Sequence, residues 1–359
     1  MFVAWRDLRF ARGRFVLIGS VVALITLLVG FLAGLTGGLA AQNVSAVLAL
    51  PGDRIVLQHP ASGQASFSES AIAPSTVQAW RDAPGVDEVL PVGIVQGKAG
   101  LGDTTAAVAL FGPPSGAAPS AVTDLAPGAD DEIGLSAGAA KDLGGATVGD
   151  RVSILGGTYT VASVGGDAWY SHTPVIVLTP EAWAQVDQRM GGDGEATALA
   201  VTGDPDWDAI AERTDTVAQS PLLSLLALDA FKSEIGSLGL MIAMLFGISA
   251  LVVGAFFTVW TMQRSGDVAV LKALGATTPS LVRDALGQAS VVLVVGIGVG
   301  MLIVVGLGTL AGQALPFLLS PLTTLAPAAV MAVLGLAGAA VALRNVTKPD
   351  PLTALGSSR

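Results

Sequence analysis

Residues 15–40 read FVLIGSVVALITLLVGFLAGLTGGLA. A helix needs about 20 predominantly apolar residues to cross the hydrocarbon of a bilayer, and this stretch supplies them without a charged side chain. Working outward, residues 235–262, 288–312 and 322–343 meet the same requirement. Between the first span and the second, residues 41–234 are mixed in polarity and acidic. The fold class that follows is a membrane α-helical protein with four transmembrane helices and an extracytoplasmic α+β domain inserted after the first.

Charge orients this layout. Segments 1–14, 263–287 and 344–359 together hold ten basic residues (Arg6, Arg9, Arg12, Arg14, Arg264, Lys272, Arg283, Arg344, Lys348, Arg359) against four acidic ones. The rest of the chain holds 8 basic and 24 acidic residues, the remainder of totals of 18 and 28. Lys and Arg near span ends stay cytoplasmic, so the N-terminal segment 1–14, the segment 263–287 and the tail 344–359 are expected inside. The domain 41–234 is then outside, and four spans return both termini to one side. An acidic domain repels phosphates, which argues against a nucleic-acid partner. With no cysteine in the chain, the domain has neither disulfides nor cysteine metal sites, and no metal site is expected. Its apolar core must hold it together, and about 190 residues are enough to build one.

The basic start, the apolar run and Leu39-Ala40-Ala41 also have the layout of a signal peptide. The run is longer than an ordinary signal core, and Gly30, Gly34 and Gly38 recur every fourth residue through it. Small residues at that spacing let two membrane helices approach closely, which favours a retained helix. The spacing serves a partner helix in the same chain and one in a second copy equally.

Within the domain, Asp53–Gln58 reads as a strand and Ser75–Arg81 as a helix entered at Pro74-Ser75. Segment 101–129 reads as a strand followed by a loop, and Ser136–Leu143 as a helix stopped by Gly144-Gly145. Two β-prone runs, 151–155 and 158–164, flank Gly156-Gly157, a hairpin signal. Pro174–Leu178 and Ala196–Thr202 follow as strands, Pro180–Met190 and Asp206–Arg213 as helices.

Three stretches carry a family resemblance. Asp131-Glu-Ile-Gly-Leu-Ser-Ala-Gly-Ala-Ala-Lys-Asp-Leu-Gly-Gly-Ala-Thr-Val-Gly-Asp-Arg-Val152 resembles the outer domain of MacB/FtsX-type ABC transporter permeases. Arg264-Ser-Gly-Asp-Val-Ala-Val-Leu-Lys-Ala-Leu-Gly-Ala-Thr277 looks like that family's cytoplasmic coupling segment. Leu343-Arg-Asn-Val-Thr-Lys-Pro-Asp-Pro-Leu352 is similar to its C-terminal pattern. The resemblance implies a homodimer of permeases working with two copies of a separate ABC ATPase subunit, in the plasma membrane of a bacterium. It also implies that Arg264, Asp267, Val270, Leu271, Lys272, Leu274 and Gly275 form the ATPase-coupling element. Physically, that segment places apolar residues at helical spacing and ends on glycine, as a short amphipathic helix docking into a groove would; a helix lying on lipid headgroups has the same pattern. The chain contains no Gly-x-x-x-x-Gly-Lys-Ser/Thr phosphate loop, so ATP is expected on the partner. It also lacks Gly-x-Ser-x-Gly and His-Glu-x-x-His. A permease without a catalytic residue or intrinsic cofactor is expected, not an enzyme.

The cargo rests on a second resemblance. Gly166-Asp-Ala-Trp-Tyr-Ser-His-Thr-Pro-Val175 is similar to the corresponding segment of the DevC-like branch, which includes haem-exporting permeases of Gram-positive bacteria. That branch implies haem held between two permease copies near the outer leaflet. Phenolate, imidazole and thioether are all iron ligands, so Tyr170, His172, Met241 and Met244 are candidates. Phe231 and Lys232 could serve haem's face and propionates, and Glu234 is an ionisable group at a span boundary, where charge is costly. Each has an ordinary alternative: Tyr170 in an aromatic belt or the domain core, His172 as a structural residue, the methionines as span packing, Glu234 as a surface cap. Two other functions fit the same family: export of a peptide, lipid or antibiotic, and a signalling scaffold that activates a cell-wall hydrolase.

Overall fold

A computed structural model describes residues 12–263, 266, 270 and 275–347. The chain divides into two compact units, Met1–Gly38 with Ser237–Arg359, and Leu39–Gly236.

The first unit is helical. It contains most of α1 (Arg12–Leu48) and α7 (Asp229–Gln263), with all of α8 (Thr278–Ala311) and α9 (Pro321–Thr347). All four are long and apolar enough to cross a membrane. Their packing is built on glycine. A Cβ placed on Gly296 would meet Val22 at 2.9 Å, and one on Gly300 would meet the carbonyl oxygen of Ala23 at 2.6 Å. Gly335 similarly receives Leu293, and Gly338 lies against Gly254. Side chains that interlock around these contacts include Val22, Val29, Phe257, Leu293 and Met331, all buried. The segment after α8 turns back so that the Leu318 amide donates to the carbonyl of Gly34 at 2.9 Å, and the Phe317 ring packs on Phe31 with centroids 4.9 Å apart.

The second unit is α+β. Its strands are β1 (Arg54–Gln58), β2 (Val86–Leu101), β3 (Thr104–Gly112), β4 (Glu132–Ser136), β5 (Arg151–Ile154), β6 (Gly157–Gly165), β7 (Trp169–Tyr170), β8 (Thr173–Val177), β9 (Ala198–Gly203) and β10 (Thr216–Gln219). Short helices α2 (Pro74–Arg81), α3 (Ala137–Asp142), α4 (Pro180–Arg189), α5 (Trp207–Thr214) and α6 (Pro221–Ser224) accompany them. The strand order is β10-β1-β9-β2-β3-β8-β4-β6-β5, and β5 also pairs with β2 through Ala99↔Ile154 and Gly100↔Ser153. The last six strands therefore close on themselves. Two pairs in that ring, β3–β8 and β4–β6, are parallel.

Alternation along strands sorts the side chains into cores. On β1, Val56 joins Val89, Leu199 and Val201 beneath Trp80 and Ile210 of α2 and α5. Its neighbours Ile55 and Leu57 face the other way, with Val92, Phe111, Tyr170, Val47 and Phe231. A third cluster joins Leu110, Ile133, Val152, Ile154 and Ile176 to α3 and α4.

Several sequence expectations are shifted by a residue or more. Helix α1 continues to Leu48 rather than ending at 40: nothing in Ala41–Leu48 breaks a helix, and Val44, Ala46 and Val47 are buried in the domain core. Pro74 occupies the first turn of α2 behind an Ala73 cap, so Pro74-Ser75 is inside the helix and not its cap. The β5–β6 turn is Leu155-Gly156, because Gly157 pairs with Ile154. Both turn residues have positive φ, 45° for Leu155 and 81° for Gly156. An exposed leucine held there costs about 1–2 kcal/mol relative to a residue tolerant of that region. Leu155→Asn, which creates the preferred Asn-Gly turn, is expected to stabilise the domain by about 1 kcal/mol, measurable as a raised melting temperature.

Candidate functional site

The sequence candidates separate into three places. In the domain unit, β7 and β8 form a hairpin whose tip is Ser171-His172, between the pair Tyr170↔Thr173. Both tip residues have positive φ, 47° and 64°, an arrangement that non-glycine residues adopt only when their surroundings hold it. Helix α1 does the holding: the Ser171 amide donates to the carbonyl of Asn43 at 2.9 Å, and the His172 amide to that of Gln42 at 3.0 Å. The Trp169 amide donates to Ser45 Oγ at 3.0 Å.

This docking brings His172 to Glu234 in the first turns of α7. Imidazole Nε2 lies 3.0 Å from Glu234 Oε2, and Asn43 Nδ2 donates to the same oxygen at 3.0 Å. Nε2 and Nδ2 are 3.4 Å apart; an ionised carboxylate only accepts, so with the proton on Nε2 both nitrogens donate to Glu234 Oε2. The Glu234 side chain is 20% exposed and that of His172 is 39% exposed, whereas Asn43 is fully buried with its Oδ1 unpaired among the described residues. The imidazole thus keeps Nδ1 without a partner among the described residues, supported from behind by a carboxylate, an arrangement that raises the basicity of a ligand nitrogen.

Tyr170, two residues away, faces elsewhere. Its ring is buried edge-on to Phe67 and Phe111, with centroids 6.2 and 5.7 Å away. Burial, and secondarily the negative charge of Asp229, push its phenol well above the ordinary tyrosine value. The neutral form is therefore held in the fold while an unfolded tyrosine ionises from about pH 10. That stabilisation is complete below the unfolded value and is lost as pH climbs from there toward the folded one. Tyr170→Phe is expected to flatten this alkaline loss in a pH series of thermal melts.

Phe231 is buried in the same core as Tyr170. Lys232 donates to Gln64 Oε1. Met241 and Met244 belong to the helical unit, 51% and 60% exposed, and are not part of the His172 cluster. Of the coupling segment, Val270 is helical and exposed, and Gly275 has φ of +93°; Arg264, Asp267, Leu271, Lys272 and Leu274 lie outside the described residues. Gly30, Gly34 and Gly38 face their own chain: added Cβ atoms would meet Val304, Phe317 and Pro316 respectively. Asn43 is the residue that sequence reasoning missed. The polar pair Gln42-Asn43 in an otherwise apolar stretch is a signal, but one hidden by ending the helix at residue 40.

The FtsX-like permease C-terminal family matches residues 239–351. Over 359 residues the chain is 26% identical to a hemin transport system permease protein, HrtB, of Staphylococcus haemolyticus, covering 99% of each chain. Its identity to the HrtB protein of Staphylococcus epidermidis is 22% over 362 residues, with both chains covered completely. An ABC transporter permease of Mycobacterium tuberculosis is 26% identical over 359 residues, 99% of each chain. Among solved structures, the periplasmic region of MacB from Actinobacillus actinomycetemcomitans aligns with a TM-score of 0.35 at 10% identity, covering 49% of this chain and 92% of that one. Residues 239–351 match the FtsX-like permease C-terminal family, and over its whole length the chain is similar to ABC transporter permeases.

Proposed function

We propose that this permease is the membrane subunit of an ATP-driven efflux transporter and that its cargo is haem. The end-to-end similarity to permeases named for hemin transport carries the choice of cargo. The His172–Glu234–Asn43 cluster supplies chemistry suited to it: an imidazole nitrogen for ferric iron, backed by a carboxylate. Iron ligation falls to His172, since the Tyr170 phenol is neutral and packed in the core. The bias of Lys and Arg toward segments 1–14, 263–287 and 344–359 supports cytoplasmic termini and an outer domain.

The missing phosphate loop supports a separate ATPase, two copies acting on a permease homodimer. Closure of the ATPases would push the segment 263–287 and move the helices as rigid bodies. Helices α1 and α7 both run without interruption from the helical unit into the domain. Asn43 on one and Glu234 on the other are hydrogen-bonded, so movement of either helix is felt at the hairpin tip.

The test is a hemin titration of the purified permease in detergent, followed by absorption spectroscopy. A saturable Soret shift at one haem per dimer, altered by His172→Asn, is the expected result. A featureless, non-saturating spectrum overturns haem as cargo.

A further inference from the structure

A cavity of about 290 Å³ in the domain unit lies apart from the His172 cluster. Its floor is aromatic, made by Phe67, Tyr170 and Trp183. Four carboxylates line it, those of Glu69, Asp187, Asp193 and Glu195, and no basic residue does. Among the described residues none of the four is in an ion pair. An anion, including a propionate-bearing cargo, is repelled by this lining.

The buried polar groups of the lining differ in one respect. The Trp183 indole N–H donates to the carbonyl of Leu110 at 3.1 Å. Thr197 Oγ1 bonds both the amide and the carbonyl of Ile94, at 2.8 and 3.1 Å, and Ser70 Oγ donates to the carbonyl of Thr197 at 2.7 Å. The Tyr170 hydroxyl, on a side chain 93% buried by its 7% exposure, has no hydrogen-bond partner among the described residues. The hydroxyl is not one of the fully enclosed unpaired atoms, and Tyr170 lines the cavity, so it is open to a ligand there.

A bare metal ion does not fit: no three His, Asp, Glu or Cys side chains among the described residues are grouped to hold one. We propose that the cavity binds a small alkylammonium ion. Its apolar stem lies on Phe67 and Trp183, its charge faces aromatic rings and carboxylates, and one N–H donates to the Tyr170 hydroxyl. The volume is at the small end for ligand sites, which limits the occupant to a short amine. Asp187 also accepts from the Gly194 amide at 2.9 Å and so shapes the rim; Glu69 and Glu195 have no such structural bond and are the residues to test.

The experiment is saturation-transfer NMR on the full-length permease in detergent, with n-butylammonium as probe and butan-1-ol and butyrate as neutral and anionic probes of matching length. Saturable transfer to the amine, much weaker for the alcohol and absent for butyrate, is expected. The double variant Glu69→Gln/Glu195→Gln should weaken the amine about tenfold or more, the effect of losing ~1.4 kcal/mol, with its melting temperature unchanged. Tyr170→Phe should weaken it less. Equal transfer to amine and alcohol, transfer unchanged in the double variant, or no saturable transfer to the amine each overturns the proposal.

Discussion

Gly38→Ala is expected to disrupt the helical unit, with loss of monodisperse protein on detergent extraction and a lowered melting temperature. A Cβ at this position would sit 1.9 Å from the carbonyl oxygen of Pro316 and 2.9 Å from the amide nitrogen of Phe317. Both obstacles are backbone, so no rotamer change makes room. Overpacking costs about 1–3 kcal/mol when neighbours can shift, and here the segment 316–318 would have to leave α1 altogether. Gly34→Ala meets a different obstacle, the Phe317 ring at 2.3 Å, which is a side chain. Trimming the ring in Gly34→Ala/Phe317→Ala should recover part of the loss, whereas Gly38→Ala/Phe317→Ala should recover none. Gly247→Ala, with nothing within 4 Å of its added Cβ, is the neutral comparison. Equal behaviour of Gly38→Ala and Gly247→Ala would show that α1 does not rest on the 316–318 segment.

The four long helices were legible because span length is a property of composition, countable without knowing what packs where. The glycine ladder of α1 was legible too, but its partner was not. Phe317 comes from a short connecting segment, and spacing alone does not say that a loop will fold back into the groove that small residues leave. In the domain, strands with regular alternation were readable. The longest, β2, was not: Pro91, Gly93, Gly97 and Gly100 break its pattern. Those glycines mark close packing as well as local freedom. A Cβ on Gly93 would stand 2.2 Å from the Trp183 ring, and one on Gly112, its partner on β3, 2.5 Å from the Trp183 Cβ. Glycine inside a strand often signals such an approach, yet the residue that approaches is 90 positions later than Gly93. The site shows the same division. His172 and Glu234 were identifiable by residue type and by nearness to a span. That Tyr170 turns into the core while His172 turns out depends on the two-residue tip and its docking on α1. The docking in turn depends on α1 persisting past residue 40.

Substitutions at Glu234 separate the structural role of the cluster from its role with cargo. Glu234→Ala removes the acceptor shared by Asn43 and His172. Asn43 is fully buried and its Oδ1 already lacks a partner among the described residues, so the amide would keep only its long 3.4 Å contact with the imidazole. An unsatisfied buried polar group costs about 1–3 kcal/mol, and the melting temperature should fall accordingly. Glu234→Gln keeps an oxygen for Asn43 Nδ2 and for the imidazole N–H, so its stability should stay near that of the unaltered protein. What it removes is the charge that strengthens the imidazole as a ligand; hemin should bind about tenfold more weakly, a difference of ~1.4 kcal/mol. His172→Asn completes the series, since asparagine tolerates the positive φ of the hairpin tip and carries no ring nitrogen. Its Soret shift on hemin addition should be lost while the fold is kept. Hemin binding in Glu234→Gln and His172→Asn indistinguishable from the unaltered protein would remove iron ligation from this cluster. The three residues would then be a mechanical tie between α1, α7 and the hairpin, and only Glu234→Ala would impair transport.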